Sequence, residues 1–154
     1  MRKGKPWRSN RTFVKFAFPN ILRSNLHDFT FPTGFWSSRY YRYNKWHDPP
    51  RFFLSFKSQS MTVTGCGKDN IGIFGIEGFY SYRTRRIGLR KIYRSIKFKR
   101  LTKSRHEIII QLIWNAKEKT FQGKWYDDTE LNKGNGVFEL AYDDRLNPFV
   151  FEKV

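Results

Sequence analysis

The chain contains little cysteine and no long apolar run. Cys66 is the only cysteine among 154 residues, which excludes an internal disulfide and a metal site built from several cysteines. We expect Cys66 to be a small, half-buried hydrophobic residue. No segment reaches the roughly eighteen apolar residues of a membrane-spanning helix, and the N-terminus lacks the continuous apolar stretch of a secretory signal peptide. A secreted disulfide scaffold and a helical membrane protein are therefore not expected.

Acidic residues are scarce over the first two thirds of the chain. Residues 1–105 hold 24 Lys and Arg against 4 Asp and Glu, whereas residues 106–154 hold 6 against 9, and the net charge is +17. A positive field of this size attracts polyanions such as RNA, anionic lipid head groups or an acidic protein surface. We expect RNA or an acidic protein surface to be the partner.

Residues 1–33 are predicted to form a basic, aromatic arm. No period of two or 3.6 residues runs through it, so we expect an extended segment that docks its side chains on the barrel or on a partner. The docking candidates are Trp7, Arg8, Arg11, Phe13, Phe16 and Phe18. Asp28 is the first acidic residue. The arm therefore suits either an organelle transit segment or a flexible basic tail, with an intracellular location, cytoplasmic or mitochondrial, in both cases.

From Gly34 onward, short apolar segments alternate with turn residues, which is typical of an all-β domain with almost no helix. We predict one domain over 34–142, followed by a tail over 143–154. The eight predicted strands are 34–43, 51–57, 60–66, 71–82, 87–98, 106–114, 120–126 and 137–142. Turns or loops are predicted at 44–50, 68–70 and 127–136. The short connections favour an antiparallel up-and-down barrel over a Greek-key sandwich, and eight strands enclose packed side chains or one small ligand.

Residues 65–81, GCGKDNIGIFGIEGFYS, contain five glycines. A phosphate-binding loop requires Ser or Thr after Gly-Lys and a helix behind it, but here Asp69 follows Lys68 and the next residues alternate like a strand. Gly75 and Gly78 fall on opposite faces of that strand, where they relieve crowding and let it bend. The glycines therefore indicate a coiled sheet.

The succession of these motifs resembles the small avidin- and lipocalin-like barrels, and more closely a group of barrel domains of intracellular eukaryotic proteins. The matching residues are Gly65, Gly67, Asp69, Gly72, Phe74, Ile76, Gly78, Tyr80, Lys91, Tyr93, Gly123, Trp125, Gly136, Phe138 and Glu139. The resemblance implies that Lys91, Tyr93, Tyr80 and Trp125 face the barrel interior. A buried lysine needs a partner, for which Glu77 is the candidate. The biotin-binding set of the avidins does not map onto this chain.

The chain offers no constellation typical of catalysis. His27, His47 and His106 are scattered and lack metal-ligand spacing. The paired carboxylates Asp127–Asp128 and Asp143–Asp144 fall in a predicted loop and tail, where both members are solvated. Cys66 has no predictable orienting partner. We therefore expect no enzyme activity, no cofactor and no metal.

The strongest functional signal is basic and aromatic. Residues 83–105 carry eleven cationic side chains and no acidic one. We expect one polyanion-binding patch made of Arg83, Arg85, Arg86, Arg90, Arg94, Lys99, Arg100, Lys103 and Arg105. Phosphate contacts from such residues give salt-sensitive affinity, and Tyr40, Tyr43 and Trp46 could stack unpaired bases. The motifs of recognised RNA modules are absent.

Three functional hypotheses follow, in this order. The first is a non-enzymatic binding or scaffold barrel, an accessory subunit that docks by its basic arm and patch onto an acidic or RNA-containing intracellular assembly. The second is a carrier that holds a small apolar ligand in the barrel interior. The third, an enzyme that uses a barrel cavity, has no supporting constellation in the sequence.

Overall fold

The structure is a computed structural model that describes residues 5–6, 9–16, 31–94, 106–129 and 132–145. Its elements in chain order are α1 (Asn10–Lys15), β1 (Gly34–Arg42), β2 (Lys45–His47), β3 (Phe52–Lys57), β4 (Thr62–Lys68), β5 (Ile73–Ser81), β6 (Arg86–Tyr93), β7 (Glu107–Asn115), β8 (Thr120–Thr129) and β9 (Asn132–Tyr142). In this part of the chain, no helix has the length and apolar character to cross a membrane.

The sheet closes on itself. From β3 to β9, each strand pairs antiparallel with the next one along the chain, and β1 pairs with both β3 and β9. The closing ladder runs from Trp36 opposite Tyr142 to Tyr40 opposite Phe138. The short strand β2 is an addition that pairs with the far end of β1. The molecule is thus a closed, eight-stranded, antiparallel up-and-down barrel, consistent with the avidin- and lipocalin-like fold, and this prediction is confirmed.

The barrel interior is filled by the alternate residues of each strand. Leu54, Leu89, Leu112, Phe121 and Leu140 have no solvent exposure, and they belong to one continuous core cluster. Burying a Leu or Phe side chain stabilises the fold by about 1.5 to 3 kcal/mol. Burial of these inward residues, which alternate with outward residues along each strand, is therefore the main source of the fold's stability.

Phe31 closes one end of the barrel, which we call the aromatic end. Its ring centroid lies 4.6 Å from that of Tyr80, 5.2 Å from Phe121, 5.3 Å from Phe56 and 5.4 Å from Tyr82. Edge-on and offset ring pairs at these distances add to the stabilisation from burial. The residues just before β1 therefore serve as a plug that completes the core.

Part of the predicted arm is the short helix α1, which lies against the outside of β5 and β6. The Ser9 hydroxyl caps it by accepting the N–H of Thr12, and Phe13 and Val14 are buried. The Thr84 hydroxyl donates a hydrogen bond to the Val14 carbonyl. The expectation of an extended arm is therefore wrong for this stretch, because a capping serine and an adjacent apolar pair suffice for one helical turn once the barrel wall covers it. Trp7, Arg8 and Phe18 lie outside the described residues.

Several strand boundaries differ from the sequence prediction. The predicted turn at 44–50 contains β2, which follows a two-residue turn at Tyr43 and Asn44 with φ of 54° and 60°, the pair of positive values found in type I′ hairpins. The predicted loop at 127–136 is mostly strand, because Asp127 pairs with Gly134 and extends the β8–β9 ladder. Cys66 is exposed rather than half-buried. Residues 95–98 of the predicted fifth strand lie outside the described residues.

Two inward-facing glycines allow neighbouring backbones to approach closely. A Cβ on Gly78 would lie 2.0 Å from the carbonyl oxygen of Gly88, and one on Gly123 would lie 2.0 Å from that of Gln111. These oxygens belong to the adjacent strands, so the backbone cannot move without breaking the ladder. The bending function predicted for Gly78 thus has a specific cause, namely close approach between coiled strands.

We expect Gly78→Ala to lower the free energy of unfolding by about 2 kcal/mol or more, because the added methyl group overlaps a strand carbonyl. Gly75→Ala on the same strand is the matched control. Its added Cβ would lie 3.0 Å from the guanidinium group of Arg94, an exposed side chain that can move, so its effect should stay below about 1 kcal/mol. Urea unfolding measures both, and equal losses would contradict the explanation.

Candidate functional site

The end of the barrel opposite Phe31 carries charged side chains, and we call it the polar end. It is formed where β4 and β6 end, where β7 begins and where β8 passes, and it brings together Asp69, Lys91, Tyr93, His106 and Asp127. Asp69 belongs to the glycine-rich motif, whereas Lys91 and Tyr93 lie together on β6, 22 and 24 residues further along the chain. The fold brings these two parts of the sequence into direct contact.

Asp69 is the centre of this cluster. Its Oδ2 accepts hydrogen bonds from the Lys91 ammonium at 2.9 Å and from the Tyr93 hydroxyl, while its Oδ1 accepts the backbone N–H groups of Ile71 at 2.9 Å and Gly72 at 3.2 Å. The predicted partner of Lys91, Glu77, is wrong. Glu77 alternates onto the outer face of β5 and pairs there with Arg90.

The protonation of the cluster follows from burial and charge. Burial alone would raise the pKa of Asp69, but the Lys91 ammonium and the hydrogen bond from Tyr93 outweigh it, so the pKa lies below its usual value. Burial lowers the pKa of Lys91, and Asp69 offsets part of that effect. Burial and the neighbouring carboxylate both raise the pKa of Tyr93. At neutral pH the cluster is therefore an ion pair beside a neutral phenol.

Aromatic rings surround the Lys91 ammonium. Its nitrogen lies 4.1 Å from the ring centroid of Phe74 and 5.0 Å from that of Tyr93, distances typical of cation–π contacts. Lys91 and Tyr93 thus lie in the barrel interior, as do Tyr80 at 1% and Trp125 at 5% exposure. Burial raises the pKa of Tyr80 to about 12, so this phenol is neutral as well.

Asp127 is a buried carboxylate, only 1% exposed. His106 Nε2 lies 3.0 Å from its Oδ2, and the Arg42 guanidinium lies 3.8 Å away. The expectation that Asp127 lies in a solvated loop is wrong, because β8 continues through it. The alternation of Phe121, Gly123, Trp125 and Asp127 along one face was the signal that could have identified it.

The hairpin formed by β1 and β2 (residues 39–47) projects aromatic and cationic side chains beside the polar end. The Arg39 guanidinium lies 4.3 Å from the ring centroid of Trp46, and the rings of Trp46 and Tyr41 lie 5.5 Å apart, edge to face. Tyr43 at the turn is 72% exposed and Trp46 is 41% exposed. Tyr40 differs from the expectation: it stacks on His47 at 4.9 Å and is half-buried.

The cations predicted to form one patch are divided between two ends of β6. Arg83 and Arg85 lie in the turn before β6, at the aromatic end, whereas Arg94 follows β6 at the polar end. Eight strand residues separate the two groups, or about 26 Å. Arg86 is buried at 2% exposure against the Phe13 ring of α1. The described cations therefore do not form the single patch expected.

Other members of the predicted patch are engaged or not described. Arg90 pairs with Glu77 and, at 3.8 Å, with Glu107. Lys99, Arg100, Lys103 and Arg105 lie outside the described residues. Of the predicted docking residues of the arm, Phe13 contacts the barrel, and the Arg11 guanidinium lies 5.1 Å from the ring centroid of Phe79. The Arg86 guanidinium lies 5.5 Å from the Phe16 ring.

The outer wall of the barrel carries grooves. One of about 660 Å³ lies between the arm and strands β4 to β7 and is lined by residues such as Arg11, Thr64, Phe79 and Ile109. Another, of about 390 Å³, lies beside Gly75 and is bordered by Arg90 and Arg94. Within the described residues, no group of three or more His, Cys, Asp or Glu side chains is placed to hold a metal ion.

Comparison with known proteins adds no family: the chain matches no family model, no curated protein and no solved structure. The site must therefore be interpreted from its own geometry.

We expect Asp69→Asn to lower the free energy of unfolding by about 3 kcal/mol, because it leaves the Lys91 ammonium buried without its counter-charge. The asparagine oxygen still accepts the two backbone N–H groups of the turn, but its amide nitrogen cannot accept from Lys91 or Tyr93, so the substitution removes the charge and these two hydrogen bonds together. Lys91→Met in the Asp69→Asn background should recover part of the loss, because it removes the stranded ammonium. Urea unfolding of the wild type, of Asp69→Asn, of Lys91→Met and of the double variant gives the coupling energy between the two residues. Strictly additive effects would contradict a direct pair.

The same pair predicts a pH dependence. Because the folded pKa of Asp69 lies below its unfolded value of about 3.9, its stabilising contribution is complete above about pH 4 and is lost as the pH falls through the folded pKa. Lys91→Met removes the charge and the hydrogen bond with which Lys91 lowers that pKa, so the folded pKa of Asp69 lies closer to its unfolded value. The loss of unfolding free energy between neutral pH and about pH 3 should then be smaller than in the wild type. Lys68→Met, which changes an exposed lysine, should leave the wild-type loss unchanged.

Proposed function

We propose that this chain is a non-enzymatic binding barrel that docks onto a polyanionic partner, either an acidic protein surface or an RNA-containing assembly. It would act as an accessory or scaffold subunit. The resemblance to barrel domains of intracellular eukaryotic proteins supports a cytoplasmic or mitochondrial location.

One observation carries the proposal: many carboxylates of the barrel are paired within the barrel. Six of them contact lysine or arginine side chains of the same chain, namely Asp69, Glu77, Glu107, Asp127, Glu139 and Asp143. The net charge of +17 therefore resides mainly on side chains outside these pairs. An excess of this kind favours docking on a polyanion.

The polar end supports a location for this contact. Lys68, Arg94 and Lys45 are exposed there. Residues 95–105 contain five Lys or Arg and no acid. The described residues on either side of this basic segment, Arg94 and His106, both lie at the polar end.

The state of the polar cluster supports a binding function over catalysis. A general base must have an oxygen or nitrogen within reach of a substrate proton. Both oxygens of Asp69 already accept hydrogen bonds, and Asp127 is 1% exposed with His106 against it. Asp69 and Asp127 therefore stabilise the barrel, because they connect the strand ends at the polar end and hold them in place.

A second candidate, carriage of a small apolar ligand, is favoured by the outer groove of about 660 Å³ beside α1, rather than by the packed interior in which the sequence placed it. Native mass spectrometry of the purified chain tests this candidate. A co-purified ligand that is lost on Phe79→Asp would support it, and a mass equal to that of the chain alone would count against it.

The polyanion proposal predicts salt-dependent binding to heparin and to a 20-nucleotide oligouridylate. Affinity should fall steeply between about 50 mM and about 200 mM salt. Lys68→Gln with Arg94→Gln at the polar end should reduce the log–log salt slope by about 2, because each phosphate contact contributes about 1. Binding is measured by fluorescence anisotropy with the full chain.

Lys57→Gln with Lys117→Gln is the matched control, because both lysines are exposed and lie at the aromatic end. This pair should leave the slope nearly unchanged. A pull-down with the immobilised chain, with and without nuclease, separates the two partner classes. Loss on nuclease indicates nucleic acid, whereas loss in salt alone indicates an acidic protein. Absence of any polyanion binding at the lower salt concentration would refute the proposal.

A further inference from the structure

The hairpin at residues 39–47 combines exposed rings with cations, and we infer that it binds single-stranded nucleic acid by stacking unpaired bases on Tyr43 and Trp46. This inference rests on the proposed function and specifies the chemistry of its partner. Base–aromatic stacking beside a basic surface is the common mode of single-strand recognition.

The hairpin is held rigidly to the barrel, so its rings are pre-positioned. The Trp125 indole N–H donates to the Tyr41 carbonyl at 3.2 Å, and His47 Nε2 lies 3.0 Å from the Arg42 carbonyl. The Arg42 side chain reaches inward, where its guanidinium lies 3.8 Å from Asp127 and 4.9 Å from the Trp125 ring. Because the hairpin is already ordered, binding of a nucleic-acid strand costs only the entropy of ordering the strand and not that of ordering the hairpin.

Each of the two rings is bordered by an arginine. The Arg42 guanidinium lies 4.8 Å from the ring centroid of Tyr43, and Arg39 lies 4.3 Å from that of Trp46. Tyr43 nevertheless keeps 72% of its surface exposed and Trp46 keeps 41%. An arginine thus lies beside each stacking surface, paired in both cases with a carboxylate of the barrel, and the exposed Lys45 adds a further cation for the phosphates that join the bases.

The charges near the hairpin favour nucleic acid over a protein partner. Glu139 compensates Arg39 and Asp127 faces Arg42, whereas Lys45 is exposed. Asp127 also contacts His106, which follows the basic segment 95–105 in the sequence. Protein interfaces are depleted of charge at their centre, but here cations stand between the rings, and Val137 is the exposed aliphatic neighbour.

The decisive experiment compares single-stranded oligouridylate with a duplex of equal length and with heparin, which has no bases. Tyr43→Asn removes the ring but suits the positive φ of 54° at this turn, so folding should be preserved, and circular dichroism verifies this. We expect it to weaken single-strand binding by about five- to a hundredfold and to leave heparin binding unchanged. Tyr43→Phe keeps a ring and should bind like the wild type.

Trp46→Thr gives an independent measurement at a strand position, with the same expected pattern. Oligodeoxythymidylate beside oligouridylate shows whether the sugar matters; equal binding to both still supports stacking. If Tyr43→Asn and Trp46→Thr bind oligouridylate like the wild type while heparin is still bound, the hairpin inference is wrong and the proposed function stands. If heparin, oligouridylate and oligodeoxythymidylate all fail to bind the wild-type chain, the hairpin inference and the proposed function are both wrong. A preference for duplex over single strand would also overturn the hairpin inference.

Discussion

The pairing between β1 and β9 is the constraint on which the rest of the structure depends. It turns a sheet with two open edges into a ring, and a ring of eight strands must coil each strand strongly. Coiling brings neighbouring backbones so close that inward Cβ atoms have no room at Gly78 and Gly123. The same ring gives every inward side chain neighbours on all sides, which is why so many large apolar residues can be fully buried in a chain with 28% charged residues.

The two ends of the barrel differ in chemistry, and this polarity organises the molecule. At the aromatic end, Phe31 and its neighbours seal the core with rings alone. At the polar end, the half-buried Asp69 contacts a lysine, and the buried Asp127 contacts an arginine and a histidine. Burying a charge is tolerated only when a counter-charge and hydrogen bonds accompany it. The polar end thus joins separate parts of the chain through matched charges, while Lys45, Lys68 and Arg94 remain exposed there.

How far the sequence anticipates this structure depends on the range of the interaction concerned. Alternation along a strand is local, so the all-β class and the up-and-down barrel could be predicted from it, whereas the inward positions of Lys91 and Tyr93 were implied by the resemblance to known barrels. The partner of Lys91 could not, because Asp69 lies in a turn 22 residues away and only the curvature of the barrel brings it near. Glu77 was a reasonable candidate by sequence distance but lies on the wrong face. The division of the basic residues was missed for the same reason: closeness along residues 83–94 does not mean closeness in space when a strand runs between them. The burial of Arg86 on the outer wall could not be predicted either, because it depends on the helix α1 that covers this part of the wall.

The contact between α1 and the barrel makes this stretch of the arm part of the fold. Phe13 and Val14 cover the outer wall, the Thr84 hydroxyl donates a hydrogen bond to the Val14 carbonyl, and Arg86 is buried beneath the helix. A chain shortened to begin at Ser9 would keep these contacts, whereas one shortened beyond Val14 would expose a guanidinium group together with the apolar wall around it.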